Sequence, residues 1–370
     1  MRQEDFFFQI ESHFKNKLPF VAYKKPNESI VKGWFQNNDN VHYTSNFDES
    51  GFVFSPFDSK KPTVIFPTES SKIITSEMGL TLNVDHGESQ HDTATHFKEH
   101  VELVQKGVDI IHKSELEKVV LSRAEVVPIS DKNPLQIFRK LLHQYSAAFV
   151  YIWYHPKVGL WLGATPETLL NIDGLRFKTM SLAGTQYYVD TLDVTWDSKN
   201  IDEQRIVTEF IVNELEPFVD QLNVSNPKTV KAGTLLHLQS QISGILKPNH
   251  LKNIVLSLHP TPAVCGLPKV EAKYFIQNNE NYDREFYTGF LGELNLKTSR
   301  IRNTNKRNVE NNAYATIKTE SQLFVNLRCM QIKNERALIY VGGGITKDSI
   351  PLDEWEETVK KSKTMMSVLN

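Results

Sequence analysis

Cysteine is scarce in this chain, and its two copies are not arranged as a pair. Cys265 and Cys329 lie far apart, and neither belongs to a CxxC motif. This argues against a disulfide framework and against a structural zinc site. No apolar run approaches the roughly 18 residues that a membrane span needs. The first residues include Glu4, Asp5 and Glu11 where a signal peptide would be basic and then apolar, so we expect a cytoplasmic protein with no membrane partner.

The chain also lacks an excess of charge of either sign. Its 42 Lys and Arg residues are balanced by 44 Asp and Glu residues, which leaves a formal net charge of −2. A basic nucleic-acid surface or a polybasic membrane patch is therefore not expected. The polar stretch 297–320 is locally basic, but it holds one aromatic residue and no RNA-binding signature. We interpret this stretch as a long exposed hairpin arm or a flexible insertion, and we expect no nucleic-acid partner.

Apolar residues are plentiful, at 40% of 370 residues, which is enough to bury a large core. Short alternating segments separated by turn residues predict antiparallel strands within residues 1–92. Beyond residue 92, strand-like runs alternate with amphipathic helical patterns, the longest at 93–114 and 197–222. We predict one large α+β (α/β) fold, a mostly antiparallel β core wrapped by helices. In this fold, residues 1–92 complete a catalytic domain formed by residues 93–370, and a monomer is expected.

A proline-rich loop, LHPTPAVCGLPK at residues 258–269, separates the middle of the chain from its last third. Each proline fixes φ and removes a backbone donor, so the stretch can be neither regular helix nor central strand. A helix that begins near Pro268 would bring its positive end close to the last amides of the loop, where an anion could bind. The plainer alternative is a rigid turn between two elements.

Three polar residues fall inside or beside apolar strands. Lys118 opens the strand KVVLSRAEVVP, either as a lysine on the rim or, in a pocket, as a neutral amine able to act as a base. Glu167 follows the strand VGLWLGA. It is either a helix-start residue favoured by the helix dipole or a buried acid able to donate a proton. His237 lies in a strand-like run, where most histidines are simply hydrogen-bonded in place.

Carboxylates on two predicted helices indicate a metal site. Glu203 shares a stripe with apolar residues of the helix 197–222, whereas Glu354, Glu357 and Lys361 share one face of the last helix. Hard carboxylate oxygens without His or Cys favour Mg²⁺, held together with water and substrate oxygens. An arginine, a lysine and free backbone amides beside this metal would hold a small molecule with more than one carboxylate.

Two further sequence patterns are weaker evidence for a functional site. The run Gly342–Gly344 lacks the spacing of a nucleotide-binding loop and indicates close approach of the backbone to a ligand or another strand. Histidines at positions 86, 91 and 96 are five residues apart, which fits neither one helix face nor a zinc motif. We interpret these histidines as solvated loop residues.

Taken in order, these motifs resemble those of the chorismate-utilising enzymes, and within that family the isochorismate synthases. The resemblance covers residues 93–369. It rests on KVVLSR (118–123), GATPETLL (163–170), LAGT (182–185), the proline-rich loop, YDREFYTGFLGEL (282–294), LRC (327–329), VGGGI (341–345) and EWEETVKK (354–361).

The resemblance implies a role for each candidate. Lys118 would be the general base that activates water, and Glu167 the general acid that protonates the departing 4-hydroxyl. Glu203 and Glu357 would hold Mg²⁺, with Glu354 nearby through water. Water would add at C2 of chorismate as hydroxide leaves C4, which gives isochorismate. The substrate contacts implied are Gly184, Thr185, His237, Ala263, Arg328, Gly343 and Lys361.

Particular residues separate the subfamilies. Anthranilate-type members carry Gln where Lys118 stands, aminodeoxychorismate synthases carry Lys where Ala183 stands, and salicylate synthases carry Thr where Ala263 stands. Two alternatives stay open: a lyase that makes salicylate and pyruvate, and a chorismate-binding protein without catalysis. The chain departs from the family at Asn200 and Gln204, where relatives have an acidic residue and a histidine. As a general expectation for such enzymes, the product would feed menaquinone rather than siderophore synthesis.

Overall fold

The computed structural model describes residues 1–79, 96–129, 133–232, 235–300 and 316–369. Its α-helices span Gln3–Lys15 (α1), Phe97–Ile111 (α2), Pro134–Gln144 (α3), Ser198–Leu215 (α4), Leu251–Leu258 (α5), Lys269–Asn279 (α6) and Pro351–Met366 (α7). Its strands span Phe20–Lys24 (β1), Ile30–Gln36 (β2), His42–Thr44 (β3), Gly51–Ser55 (β4), Thr63–Pro67 (β5), Ser71–Glu77 (β6), Lys118–Pro128 (β7), Phe149–His155 (β8), Gly159–Thr165 (β9), Thr168–Asp173 (β10), Arg176–Tyr187 (β11), Val219–Val224 (β12), Lys228–Ala232 (β13), Leu235–Leu246 (β14), Gly266–Leu267 (β15), Phe290–Arg300 (β16), Thr316–Val325 (β17), Cys329–Lys333 (β18) and Arg336–Ile345 (β19).

The strands form two large antiparallel sheets, which confirms the predicted fold class. One sheet has nine strands in the order β15-β7-β19-β18-β9-β8-β1-β2-β6. The other has ten strands: nine lie in the order β12-β14-β11-β10-β17-β16-β4-β5-β3, and the tenth, β13, pairs with β14 beside this row. The first 79 residues contribute strands to both sheets, because β1 pairs with β8 and β4 pairs with β16.

The two sheets pack face to face, with helices on their outer faces. Large aromatic residues from both sheets fill the space between them, among them Trp34, Phe54 and Trp153. Helices α1 and α3 cover the outer face of the first sheet, and α4 and α5 cover that of the second. Each face is thus buried against another layer, as a stable domain requires. Within the described ranges, no helix is long and apolar enough to cross a membrane.

Local sequence signals explain several boundaries. Asn133 caps α3 by accepting a hydrogen bond from the amide of Leu135 at 2.9 Å, and Pro134 occupies the first turn. In β7, side chains alternate, so Val119 and Leu121 pack under helices α2 and α6 while Lys118 and Val120 face the other way.

Some predicted elements differ from the structure. The prediction of one helix over 197–222 is wrong at its end, because α4 stops at Leu215 before Pro217 and residues 219–224 form β12. The segment after Glu167 is the strand β10 and not a helix. Positions 86 and 91, and residues 301–315 of the predicted arm, lie outside the described residues. The remainder of the arm belongs to the paired strands β16 and β17.

Candidate active site

A cavity of about 740 Å³, its opening included, lies where both sheets meet helices α4 and α7. Strands β7, β11, β14 and β19 and the loop before β15 contribute to its wall. Most of the residues singled out from the sequence line it: Glu167, Gly184, Thr185, Glu203, His237, Ala263, Arg328, Gly343, Glu357 and Lys361. The other two, Lys118 and Glu354, lie directly behind this wall and contact residues that form it.

Lys118 is fully buried, and its ammonium donates a hydrogen bond to Oε1 of Glu203 at 2.7 Å. The pair joins β7 to α4, since the two residues are 85 positions apart in the chain. Burial alone would raise the pKa of Glu203, but Lys118, together with Lys361 and Lys199, outweighs burial and holds that pKa below its usual value. Lys118 is therefore buried directly behind the wall of the site, and the interpretation as a rim lysine is wrong.

Glu167 lines the cavity from the segment between β9 and β10. Its side chain is buried, and within the described residues its carboxyl group makes no hydrogen bond or ion pair. Burial raises the pKa of Glu167 to about 7, although Lys118, Arg328 and Lys361 act in the other direction. A carboxyl group with this pKa is protonated in a large share of molecules near neutral pH, as a proton donor must be.

Arg328 brings an uncompensated positive charge to the cavity. Among the described residues, no side chain or carbonyl accepts a hydrogen bond from its guanidinium group, and none forms an ion pair with it. Burial lowers the pKa of Arg328, although Tyr287 and Glu357 act against this shift. Its backbone φ of +46° is strained for a residue with a side chain, and such strain concentrates at functional sites.

His237 presents a hydrogen-bond acceptor to the cavity. Its Nδ1 lies 2.7 Å from the carbonyl oxygen of Gly184, and a carbonyl only accepts, so Nδ1 carries the proton. Burial and the nearby Arg328 lower the pKa of His237 to about 3, and the ring is therefore neutral. Its Nε2 is buried without a partner in the described structure. An unpaired acceptor of this kind suits a ligand hydroxyl group.

Helix α4 fixes the strand that carries this histidine contact. Asn200 accepts a hydrogen bond from the amide of Thr185 at 2.9 Å, next to Gly184, whose φ is +74°. Gln204 donates to Ser181 and Ser240 at 3.1 and 2.9 Å, which ties α4 to β11 and β14. The two positions that depart from the family pattern thus hold the scaffold of the site together.

Three lysine–carboxylate pairs surround the run of glycines in β19. Besides Lys118 and Glu203, Lys199 donates to Glu354 at 2.7 Å, and Lys361 donates to Glu357 at 2.6 Å. Glu354 is buried, and burial together with the neighbouring Glu357 raises its pKa. Lys361 also donates to the carbonyl of Gly342 at 2.9 Å, which fixes α7 against β19.

The glycines make room for these carboxylates. A Cβ atom on Gly344 would lie 2.6 Å from Oε1 of Glu203 and 2.9 Å from Cε of Lys118. A Cβ atom on Gly343 would lie 3.2 Å from Oε2 of Glu354 and 3.4 Å from Oε1 of Glu357. Contacts this short are absent or rare in real structures, so a side chain at either glycine would require the lysine and glutamate side chains to move from these positions. The three glutamates therefore approach the same two residues.

These donors fit a hard divalent cation in kind. Glu203, Glu354 and Glu357 supply oxygen ligands only, and they approach Gly343 and Gly344 from two helices. Each of them is paired with a lysine, and in the described part of the chain no three His, Cys, Asp or Glu side chains are grouped closely enough to hold a metal ion. Binding of Mg²⁺ would thus require the lysines to give up their contacts.

The proline-rich loop contributes a smaller part of the cavity wall than its sequence suggested. Ala263 and Val264 line the cavity, but the first residues of α6 line a separate hollow on the surface. Lys269 turns back and donates to the carbonyls of Leu256 and Ser257 at 3.1 and 3.0 Å. The end of α6 therefore does not face the cavity, and the predicted anion position there does not belong to this site.

Lys199 and Tyr287 are site residues to which the sequence analysis gave no role. Lys199 lies four residues before Glu203 on α4, so helical spacing alone would have placed the two on one face. Tyr287 lines the cavity just before β16, and burial raises its pKa well above the usual range. Its hydroxyl oxygen is 3.1 Å from the position that a Cβ of Gly342 would take.

Comparison with protein families identifies the group to which the chain is related. A family model described as chorismate binding enzyme matches residues 66–299, more than half of the chain. The chain belongs to the chorismate-binding enzymes. A second model with this description matches residues 313–367, which include α7. Both catalytic candidates and all the substrate-contact candidates before residue 299 fall within the first match.

Individual chorismate-binding enzymes show the same relationship. The isochorismate synthase MenF of Pasteurella multocida is 31% identical over 282 residues, 72% of this chain and 60% of that protein. The isochorismate synthase EntC of Escherichia coli is 26% identical over 338 residues, 85% of this chain and 79% of that protein. The structure of the isochorismate synthase DhbC from Bacillus anthracis has the same fold, with a TM-score of 0.76, 22% identity and coverage of 98% of this chain and 99% of that one.

Proposed function

We propose that this protein is an isochorismate synthase, which converts chorismate to isochorismate in the cavity described above. The observation that carries the proposal is the free guanidinium of Arg328, half-buried in the wall of the cavity that also holds an unpaired and buried carboxyl group, Glu167. An unpaired charge that is partly removed from water lacks a counter-ion, so Arg328 favours an anionic ligand. The named relatives support chorismate, a dicarboxylate, as that ligand.

The positions of Lys118 and Glu167 suit the two proton transfers. Isomerisation requires a base to remove a proton from the attacking water and an acid to protonate the hydroxyl that leaves C4. The overall atom balance is one water gained and one water lost. Lys118 is the proposed base, which acts once it is released from Glu203, and Glu167 is the proposed acid, kept partly protonated by burial.

The remaining contacts orient the substrate. Arg328 would bind one carboxylate bidentately, as guanidinium groups commonly do. The unpaired Nε2 of His237 would accept a hydrogen bond from a hydroxyl group of the ring. Gly184, Thr185 and Ala263 form the wall beside it and leave space for the ring.

We further propose Mg²⁺ as the cofactor, held by Glu203 and Glu357, with Glu354 close by. When bound, the ion would neutralise and orient the ring carboxylate. Glu203 accepts the hydrogen bond of Lys118, so Lys118 would be free to act as the base only where Glu203 serves as a metal ligand instead.

Incubation of the purified protein with chorismate and Mg²⁺, followed by separation of the products, tests this function. Isochorismate is the expected product. Salicylate together with pyruvate would assign the chain to the lyases, and binding without turnover would assign it to non-catalytic relatives. The product would then supply menaquinone synthesis, a pathway that we propose on the general expectation stated above.

A further inference from the structure

A second cavity, of about 1120 Å³ with its opening to solvent, adjoins the candidate active site. It lies between the end of α3, the end of α7 and strand β13. Arg328 and Pro166 line both cavities, so these two residues form the boundary between them. We call this second space the outer cavity. None of the roles proposed above uses it.

The outer cavity is positively charged. Three cationic residues line it, Lys231, Arg328 and Lys363, and its lining residues in the described structure include no Asp or Glu. Lys231 and Lys363 are exposed to solvent, whereas Arg328 lies at the inner end. This local excess contrasts with the net charge of −2 of the whole chain. A concave surface lined by charges of one sign raises the local concentration of small ions of the opposite sign.

Two contacts fix side chains in the wall of the outer cavity. The hydroxyl of Tyr145 donates to the carbonyl of Thr364 at 2.8 Å, which joins the end of α3 to the end of α7. The ammonium of Lys231 lies 3.5 Å from the ring centre of Tyr188, so a cation–π contact holds this lysine beside the opening. Tyr145 and Lys231, which line the outer cavity, are therefore each held by a contact with a neighbouring residue.

We propose that the outer cavity is the entrance for the substrate, and that Lys231 and Lys363 attract small dicarboxylates toward Arg328. This inference rests on the proposed function, since it takes the substrate to be an anion with two carboxylates. The two lysines act before the chemical step and make no contact with the reacting atoms. Their contribution is thus to the capture of substrate, and it weakens as salt screens the charges.

The test is the Lys231→Gln/Lys363→Gln double variant, assayed with chorismate at ionic strengths of about 0.01 M and about 1 M, where the Debye length falls from about 30 Å to about 3 Å. We expect kcat/KM to fall about fivefold or more at low salt, mainly through KM, and to match the wild type within about twofold at high salt. The control is Lys113→Gln/Lys333→Gln, which removes two exposed lysines that line neither cavity.

A second variant tests whether the substrate passes through the outer cavity, independently of the charge of the lysines. Ala147 is exposed and lines the outer cavity, so Ala147→Trp would narrow it, and we expect a lower kcat/KM at both salt concentrations. The entrance is refuted if the double variant behaves like its control at low salt, or if its loss persists unchanged at high salt. Wild-type turnover in the same assay reports separately on the proposed function, because a protein that makes no isochorismate fails there first.

Discussion

Lys118, which is fully buried, and Glu203, whose side chain is 15% exposed, form an ion pair across 2.7 Å at the point where β7 meets α4. Gly344 lies against both side chains, and any larger residue there would collide with them. The geometry places the proposed base and a proposed metal ligand in direct contact. While the pair is intact, Lys118 is not free to act as a base and Glu203 is not free to bind a metal ion. This relationship gives the first prediction.

Lys118→Met should lower kcat by a factor of about 10² to 10⁴, the usual contribution of a general base. It should also lower the free energy of unfolding by about 3 kcal/mol, because it leaves the Glu203 carboxylate buried without its partner. The double variant Lys118→Met/Glu203→Gln should regain part of the stability and none of the activity. Product formation and urea titration measure the two effects, and an active Lys118→Met protein would contradict the assigned role.

Glu167→Gln should reduce kcat by a similar factor, since glutamine cannot donate the proton. In the wild type, the pKa of Glu167 is about 7, so the protonated form declines as the pH rises through 7. We therefore expect kcat to fall on the alkaline side, with this limb absent from the residual activity of the variant. A pH profile of kcat from about 6 to 9 checks this. A rate that rises steadily across this range would rule out Glu167 as the acid.

Removal of divalent cations with a chelator should stop the reaction, and added Mg²⁺ should restore it. Glu357→Gln should raise the Mg²⁺ concentration needed for half-maximal activity by about tenfold or more, because it replaces a charged ligand. Glu356→Gln is the matched control: Glu356 lies on the same helix, and its side chain is 68% exposed beside Lys360. Equal Mg²⁺ requirements in the two variants would show that Glu357 is not a ligand.

Gly344→Ala should disable the site although it adds only a methyl group. The new Cβ would lie 2.6 Å from Glu203 and 2.9 Å from Lys118, so the ion pair must separate or the strand must shift. We expect at least a tenfold loss of kcat with little cost in stability, because the atoms in the way are the ends of flexible side chains that can move aside. Gly79→Ala serves as the control, since among the described residues its Cβ would meet only the Oε1 atom of Gln3, at 3.6 Å. Normal turnover by Gly344→Ala would contradict the described packing.

Much of the site could be predicted because its residues follow local periodicity. Strand alternation put Lys118 on one face with Val120, which lines the cavity. Helical spacing put Glu354, Glu357 and Lys361 on one face of α7, as the structure has them. The fold class could be predicted from the alternating segments and their turns, because both are properties of the local sequence and do not depend on contacts between distant segments.

The partners of these residues could not be predicted, because they depend on contacts between distant segments. Lys199 reaches Glu354 across 155 positions, and no local pattern encodes that pair. The segment after Glu167 is a strand because it pairs with β11 and β17, although its sequence also suits the start of a helix. The end of α4, by contrast, could have been predicted from the sequence, because Pro217 stands just beyond Leu215.

The most direct test of the central claim is a single product assay with the wild-type protein and the Lys118→Met/Glu167→Gln double variant. Chorismate and Mg²⁺ are supplied, the products are separated, and pyruvate is measured in the same tube. Our account predicts isochorismate without pyruvate from the wild type and neither product from the variant. Pyruvate with salicylate, or no turnover by the wild-type protein, would contradict it.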